Sequence, residues 1–170
     1  MAVGVPEPRT PGRYRVAVVC LGNICRSPMA DVVLNARVEQ AGLGDAVEVV
    51  SAGTGDWHVG RPMDPRAAAL LTAEGYDAER HRAQQVVASW LGELDLLLAM
   101  DRDNLSDLRS LGPVEEGRVR LFRDYDPEGT GGEVPDPYYG GESGFRDVLD
   151  IVERSSAALV SEVAAALGRS

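Results

Sequence analysis

Residues 14–38 read YRVAVVCLGNICRSPMADVVLNARV, and the punctuation inside this stretch decides the architecture. Tyr14 to Cys20 is a short β-rich run of the kind that suits a parallel strand buried on both faces. Gly22 and Asn23 break it. Ser27-Pro28 then opens a helix, with serine as N-cap and proline at the first helical position. Met29, Val32, Val33, Ala36 and Val38 give that helix one apolar face. Gly42 and Gly44 stop it.

The same alternation continues outward. Val47 to Ser51 is a second short strand, followed by the turn-rich SAGTGDWHVGRP. Asp64-Pro65 caps and opens a second helix, which runs to Gly75. Leu94 to Met100 is the clearest buried strand, and Asp101 to Leu111 a short helix after it. Val119 to Phe122 is a fourth strand. Residues 123–142 form a loop rich in Asp, Pro and Gly, and loops of that length are usually functional. A closing helix runs from about Ser143 to Leu167. Strand and helix in alternation predict an α/β three-layer sandwich, with about four parallel strands and helices on both faces. Residues 1–12 are expected to be a flexible tail, and 13–170 a single domain of ordinary size.

The chain of 170 residues has a net charge of −10, and all 17 basic residues are arginine. That global field argues against a nucleic-acid partner. An anion site must therefore work locally, through backbone amides and one or two arginines. No apolar run approaches the roughly 20 residues of a membrane helix. The N-terminus lacks the apolar core of a secretory signal, and the cysteines are two, so a cytoplasmic setting with free thiols is expected.

Those two cysteines, Cys20 and Cys25, admit four readings: a disulfide, half a metal site, buried packing, or a nucleophile with a helper. Metal ligation is disfavoured, since His58 and His81 lie far along the chain at no zinc-like spacing. The Cys-x5-Arg spacing alone is weak, because with 17 arginines in 170 residues a given position is Arg about one time in ten. Its setting says more. A loop from Cys20 to Ser27, between a strand end and a helix start, turns its amides toward one spot and makes an anion nest. Gly22 and Asn23 tolerate unusual backbone angles. Arg26 offers a planar fork to two phosphate oxygens. Amide dipoles and a guanidinium both favour the thiolate of Cys20, which facing a bound phosphoryl group is a nucleophile.

The string VCLGNICRSPMA resembles the phosphate-binding loop of the low-molecular-weight protein tyrosine phosphatases, in the form CxGNxCRSP. Val134 to Gly140, VPDPYYG, resembles that family's general-acid loop. The likeness extends through SAGTGDWHVG, LLLAMDRDNLSDL and the closing helix, leaving out the first dozen residues. It implies a flavodoxin-like, Rossmann-like sandwich and a metal- and cofactor-free hydrolase of phosphotyrosine and small aryl phosphates. It also implies tyrosine-phosphorylated proteins as partners, and inhibition by phosphate or other oxyanions at the loop. Carried over by position, Cys20 is the nucleophile and Arg26 the phosphate clamp. Leu21, Gly22, Asn23, Ile24, Cys25 and Ser27 complete the phosphate seat, and Ser27 stabilises the thiolate. Asp136 is the general acid, and Trp57, Tyr138 and Tyr139 line the cleft. Ser51, His81 and Asp101 support the loop from behind. The chain departs from the family at Gln84, where arginine is common, which puts the network around His81 and Asp101 in question.

Three Asp-Pro pairs compete for the acid. Asp64 is a helix cap. Asp126 and Asp136 share the long loop, and physical reasoning separates them only in part. Asp136 is stiffened by Pro135 and Pro137 into an extended presentation. Like charges on a thiolate and a phosphate dianion favour its protonated form. Trp90 is expected to be packing and His58 an ordinary surface residue. Cys25 fills the loop wall or acts as a redox partner that captures an oxidised Cys20. Two other functions suit the same residues: a thiol-dependent arsenate reductase, although no cysteine follows Cys25, and a non-catalytic phosphotyrosine-binding module.

Overall fold

In the computed structural model, which describes residues 4–138 and 141–169, four parallel strands run in the order β2-β1-β3-β4. They are β1 (Tyr14–Cys20), β2 (Val47–Gly53), β3 (Leu96–Ala99) and β4 (Val119–Leu121). The helices are α1 (Arg26–Gln40), α2 (Pro65–Ala73), the single turn α3 (Trp90–Glu93), α4 (Arg102–Ser110) and α5 (Glu142–Ala166). A 3₁₀ turn, Phe122–Tyr125, follows β4 directly.

The two-residue period of the strands sorts the core into two layers. Tyr14, Val16, Val18, Leu96, Leu98 and Met100 face one side, where Met29, Val33 and Leu34 of α1 meet Phe145, Leu149 and Val152 of α5. Ala17, Val19, Leu97 and Ala99 face the other, against Leu91 of α3 and Leu108 of α4. Because both faces are covered, β1 and β3 read as continuous apolar runs, and α/β sandwich is the observed class.

The strand order places a switch point between β1 and β3, where the connections leave toward opposite faces. A crevice opens there at the carboxyl ends of the strands. Cys20 ends β1 on that edge, and Asp101 follows β3 on the same edge as the N-cap of α4, accepting from Asn104 N at 2.8 Å.

Several local expectations need correcting. Within the expected tail, Arg9 donates through its backbone to Asp95 Oδ1 and through its side chain to the carbonyls of Leu94 and Leu91. Tyr14 donates to Pro6 O, and Tyr125 to Gly4 O, so residues 4–12 strap the lower edge of the sheet. Asp95 is only 2% exposed, accepts from Arg15 N through its side chain and donates its own N–H to Arg15 O, and β3 begins after it at Leu96 rather than at Leu94. Helix α1 begins at Arg26 with Cys25 as its N-cap, not at Ser27. The Ser27 hydroxyl instead turns inward to Cys20 and Asn23.

The long loop is anchored at its start. Asp126 is fully buried and is held by Arg123, by two nitrogens of Arg154 and by the Glu128 amide, all at 2.9–3.1 Å. Burial alone would raise its pKa; hydrogen bonds from Arg154, Glu128 and Arg123 outweigh that and hold it below the usual carboxylate value. The stabilisation is therefore complete above about pH 4 and is lost as acid protonates the carboxylate. Asp126→Ala removes the buried carboxylate shared by Arg123 and Arg154, leaving them only Glu133 O and Glu128, and urea unfolding at pH 7 should show a loss of about 2–4 kcal/mol that shrinks as the pH falls below the carboxylate range.

Candidate active site

The loop between β1 and α1 turns on Asn23, whose φ of +57° makes it, among the described residues, the one non-glycine residue in the left-handed region. Gly22, the expected site of unusual angles, has no positive φ. Its missing side chain serves packing, because a Cβ there would lie 3.0 Å from the His58 ring. Asparagine pays less than most residues for the left-handed region, and local hydrogen bonds hold it there. Asn23 Nδ2 donates to Ser27 Oγ at 2.8 Å and to Ser51 Oγ at 3.1 Å. Its Oδ1 accepts from Gln84 N at 2.9 Å, and its carbonyl lies 2.7 Å from His81 Nε2. Burial holds the His81 imidazole below its ordinary pKa, with Arg82 adding to the effect and the bond to Asn23 opposing it. Gln84, whose presence put the network around His81 and Asp101 in question, also donates through its side chain to Ser51 O at 2.9 Å and so joins the bonds behind Asn23.

Against this frame sits the sulfur of Cys20. The Asn23 amide donates to Sγ at 3.3 Å, and Ser27 Oγ stands 3.0 Å away. The amides that follow lead into the first turn of α1, whose N–H groups lack helical acceptors and favour an anion. Arg26 is 3% exposed. Its Nη1 donates to Asp101 Oδ2 at 2.7 Å and to Val134 O at 3.0 Å, and Nη2 lies 3.7 Å from Asp136 Oδ2. Asp101 thus steadies Arg26 while His81 steadies Asn23. The two were expected to share one network and instead brace opposite sides of the loop.

A cavity of about 270 Å³ opens over the sulfur. Its walls include Cys20, Leu21, Gly22, Ile24, Cys25 and Arg26, together with Trp57, Asp136 and Tyr138. His58, expected to be an ordinary surface residue, lines it too. Trp57 is 69% exposed, and its ring lies across Gly55, where a Cβ would collide with it. Tyr139 lies outside the described residues. Of the two competing aspartates, Asp136 reaches the cavity and Asp126 is locked into the fold.

Two contributors were not foreseen. Arg66, at the start of α2, donates to Tyr138 O at 2.9 Å and lies over the rings of Tyr138 and Phe145. Asp64 N donates to Ile24 O at 2.9 Å, so the start of α2 joins the two loops that meet at the cavity. Gly53 is the other. A Cβ on it would fall 2.7 Å from Leu21 O and 3.2 Å from Asn23 N, both backbone atoms that cannot swing aside. Cys25 is buried, and burial pushes its thiol well above the ordinary range, with Asp64, Cys20 and Asp136 adding and Arg66 opposing.

A thiol, a guanidinium and a carboxyl converge on one anion seat, the set of groups that phosphoryl transfer through sulfur would require. Comparison with known proteins agrees. Residues 15–169 match the family model described as low molecular weight phosphotyrosine protein phosphatase. A low molecular weight protein-tyrosine-phosphatase of Streptomyces coelicolor is 53% identical over 154 residues, spanning 88% of this chain and 93% of that one. A protein tyrosine phosphatase from Entamoeba histolytica, solved with Hepes in the active site, superposes with a TM-score of 0.83 at 34% identity, covering 88% of this chain and 96% of that one. Vibrio vulnificus Wzb in complex with benzylphosphonate superposes with a TM-score of 0.76 at 26% identity, covering 88% and 99%. The chain belongs to the low-molecular-weight phosphotyrosine protein phosphatase family and is a protein tyrosine phosphatase.

Gly53→Ala should distort the loop through its backbone while leaving the chemical identity of every side chain of the cavity unchanged. The inhibition constant of inorganic phosphate should rise about tenfold or more, read from competition against p-nitrophenyl phosphate.

Proposed function

We propose that the chain hydrolyses phosphotyrosine and small aryl phosphates through a cysteinyl-phosphate intermediate, with Asp136 as general acid and then base and no metal in the reaction. The observation that carries this reading is that Cys20, Arg26 and Asp136 line the same cavity. The Cys20 thiolate attacks phosphorus in line with the tyrosyl oxygen. The P–O bond breaks, and the Asp136 carboxyl gives its proton to the departing phenolate. The Arg26 fork and the loop amides hold the equatorial oxygens as charge moves across them. In the second step Asp136 takes a proton from water, the water oxygen attacks phosphorus, and the S–P bond breaks. The Ser27 hydroxyl, 3.0 Å from the sulfur, supports the thiolate as it leaves.

The aromatic walls favour aryl over alkyl esters. Trp57 and Tyr138 stand at the mouth of the cavity, placed to flank a phenyl ring. Benzylphosphonate bound by the Vibrio relative is a ligand of that shape. The partners are tyrosine-phosphorylated proteins, and phosphate and other oxyanions compete at the loop. The domain acts as one unit over residues 13–170 and works in the cytoplasm, where its two free thiols stay reduced. Arsenate reduction is less well supported, because no third cysteine lies beyond Cys25 to carry a disulfide away.

Kinetics on two asparagine variants test the acid. Asp136→Asn should lower kcat by about 10²–10⁴-fold and abolish the limb of the pH profile that reports a required proton. Asp126→Asn should keep that limb and lose stability; the reverse pattern rejects the assignment of Asp136. Cys20→Ser should abolish turnover.

Peroxide offers a further check. Oxidation of Cys20 to the sulfenic acid, followed by condensation with the Cys25 thiol and release of water, gives a reversible disulfide. The buried, protonated Cys25 makes that capture slow. Wild type should regain activity with thiol after peroxide, and Cys25→Ser should regain clearly less; equal recovery removes Cys25 from this role.

A further inference from the structure

The apolar surface at the carboxyl edge does not stop at the catalytic cavity. A second, shallower depression of about 280 Å³ adjoins it, lined by Leu21, Thr54, Trp57, Val86, Asp107 and Leu111. Leu21 and Trp57 belong to both and form the ridge between them. Leu21 is 44% exposed, Leu111 37% and Trp57 69%, so three large apolar side chains stand in water side by side next to the cleft. Such patches mark recognition surfaces.

The ridge is built to hold its shape. Thr54 N donates to Cys20 O and Gly55 N to Leu21 O, both at 2.9 Å, which ties the Trp57 loop to the backbone beside the nucleophile. The Trp57 ring lies over Gly55, where no side chain could stand. On the far wall, Leu111 closes the C-terminal end of α4. Asp107, exposed on the same helix, gives the depression its one charged side chain.

We propose that this groove binds the stretch of a phosphorylated protein next to its phosphotyrosine, taking an apolar side chain against Leu21, Trp57 and Leu111 and a basic one at Asp107. The proposal rests on the phosphotyrosine reading of the cleft. Continuity selects the occupant. A peptide whose phosphotyrosine enters the cavity over the Leu21–Trp57 ridge carries its neighbours into the groove, since one to three extended residues reach about 3–10 Å. Charge supports the same choice. A second copy of the chain would bring another net −10 to the surface, whereas a basic peptide meets a carboxylate and a favourable field.

The Cys20→Ser variant, which binds without turning over, provides the test. Its affinity is measured by calorimetry for phosphotyrosine peptides in which leucine, glycine or arginine is placed at each position from three before to three after the phosphotyrosine. One flanking position should favour leucine over glycine by about five- to tenfold, the amount expected for burying part of one aliphatic side chain. Adding Leu111→Ser should erase that preference, and adding Asp107→Asn should erase a preference for arginine at a neighbouring position. Leu111→Ser with Cys20 intact should hydrolyse p-nitrophenyl phosphate like wild type, because that substrate fills only the cavity. Equal affinity for all flanks, or a leucine preference that survives Leu111→Ser, overturns the groove. A dimer in sedimentation that dissociates in Leu111→Ser assigns the surface to a second copy and also overturns it. Failure of wild type to hydrolyse p-nitrophenyl phosphate counts against the catalytic reading, while the peptide preference is read on a variant that needs no turnover.

Discussion

The site depends on holding one residue, Asn23, in a left-handed turn inside a loop that must point its amides inward. A side chain other than glycine costs free energy in that region, and the protein offsets it with four bonds from three parts of the chain. Ser27 comes from α1, Ser51 from β2, and His81 and the Gln84 amide from the segment that runs beside Gly53. These partners are far apart in sequence, so the loop takes its shape only once the sheet and α1 are in place. In return, Asn23 presents its amide to the Cys20 sulfur and orients the Ser27 hydroxyl toward it. Folding and the preparation of the sulfur are therefore the same event at this residue.

A second bracing system works from the other side of the crevice. Asp101 caps α4 with one carboxylate oxygen and holds Arg26 with the other. Val134, nearly fully buried, donates to Met100 O and accepts from Arg26, so the end of β3, the clamp arginine and the base of the acid loop share one seam. Asp126 pins the start of that loop through its two arginines, and Arg66 holds its far end at Tyr138. Asp136 lies between those anchors, exposed and stiffened by flanking prolines. Two aspartates in the same Asp-Pro setting thus do different work: one is buried among arginines, and the other faces the cavity.

The layers were legible in the sequence because burial on both faces leaves an unmistakable signal. Val16 to Cys20 and Leu96 to Met100 are apolar without a break, and the Asp64-Pro65 cap was visible as such. The convergence of Cys20, Arg26 and Asp136 was legible only through the resemblance of two motifs, since spacing alone left several readings open. What the sequence hid depends on long-range contacts. Nothing local distinguishes Arg9 as a strap on Asp95 from an arginine in a loose tail. The Ser-Pro pair suggested a cap, but the Ser27 hydroxyl sits inside the first turn, bonded to Cys20 and Asn23 of its own loop and to Ala52 O across the sheet. Gly22 looked like a point of unusual backbone angles and Gly53 was only part of a turn-rich string, yet the first makes room for His58 and the second for the loop backbone. Asp126 and Asp136 are alike until α5 delivers Arg154 to only one of them.

The central claim is that the sulfur of Cys20 carries the phosphoryl group between the two chemical steps. Rapid acid quench during turnover of p-nitrophenyl phosphate by Asp136→Asn, followed by mass analysis of the peptide containing Cys20, measures this directly. The aryl leaving group departs readily without a proton, while hydrolysis of the intermediate lacks its base, so the phosphoenzyme should accumulate with one phosphoryl group on Cys20. Continued release of phosphate with Cys20 unmodified at every quench time would contradict the account.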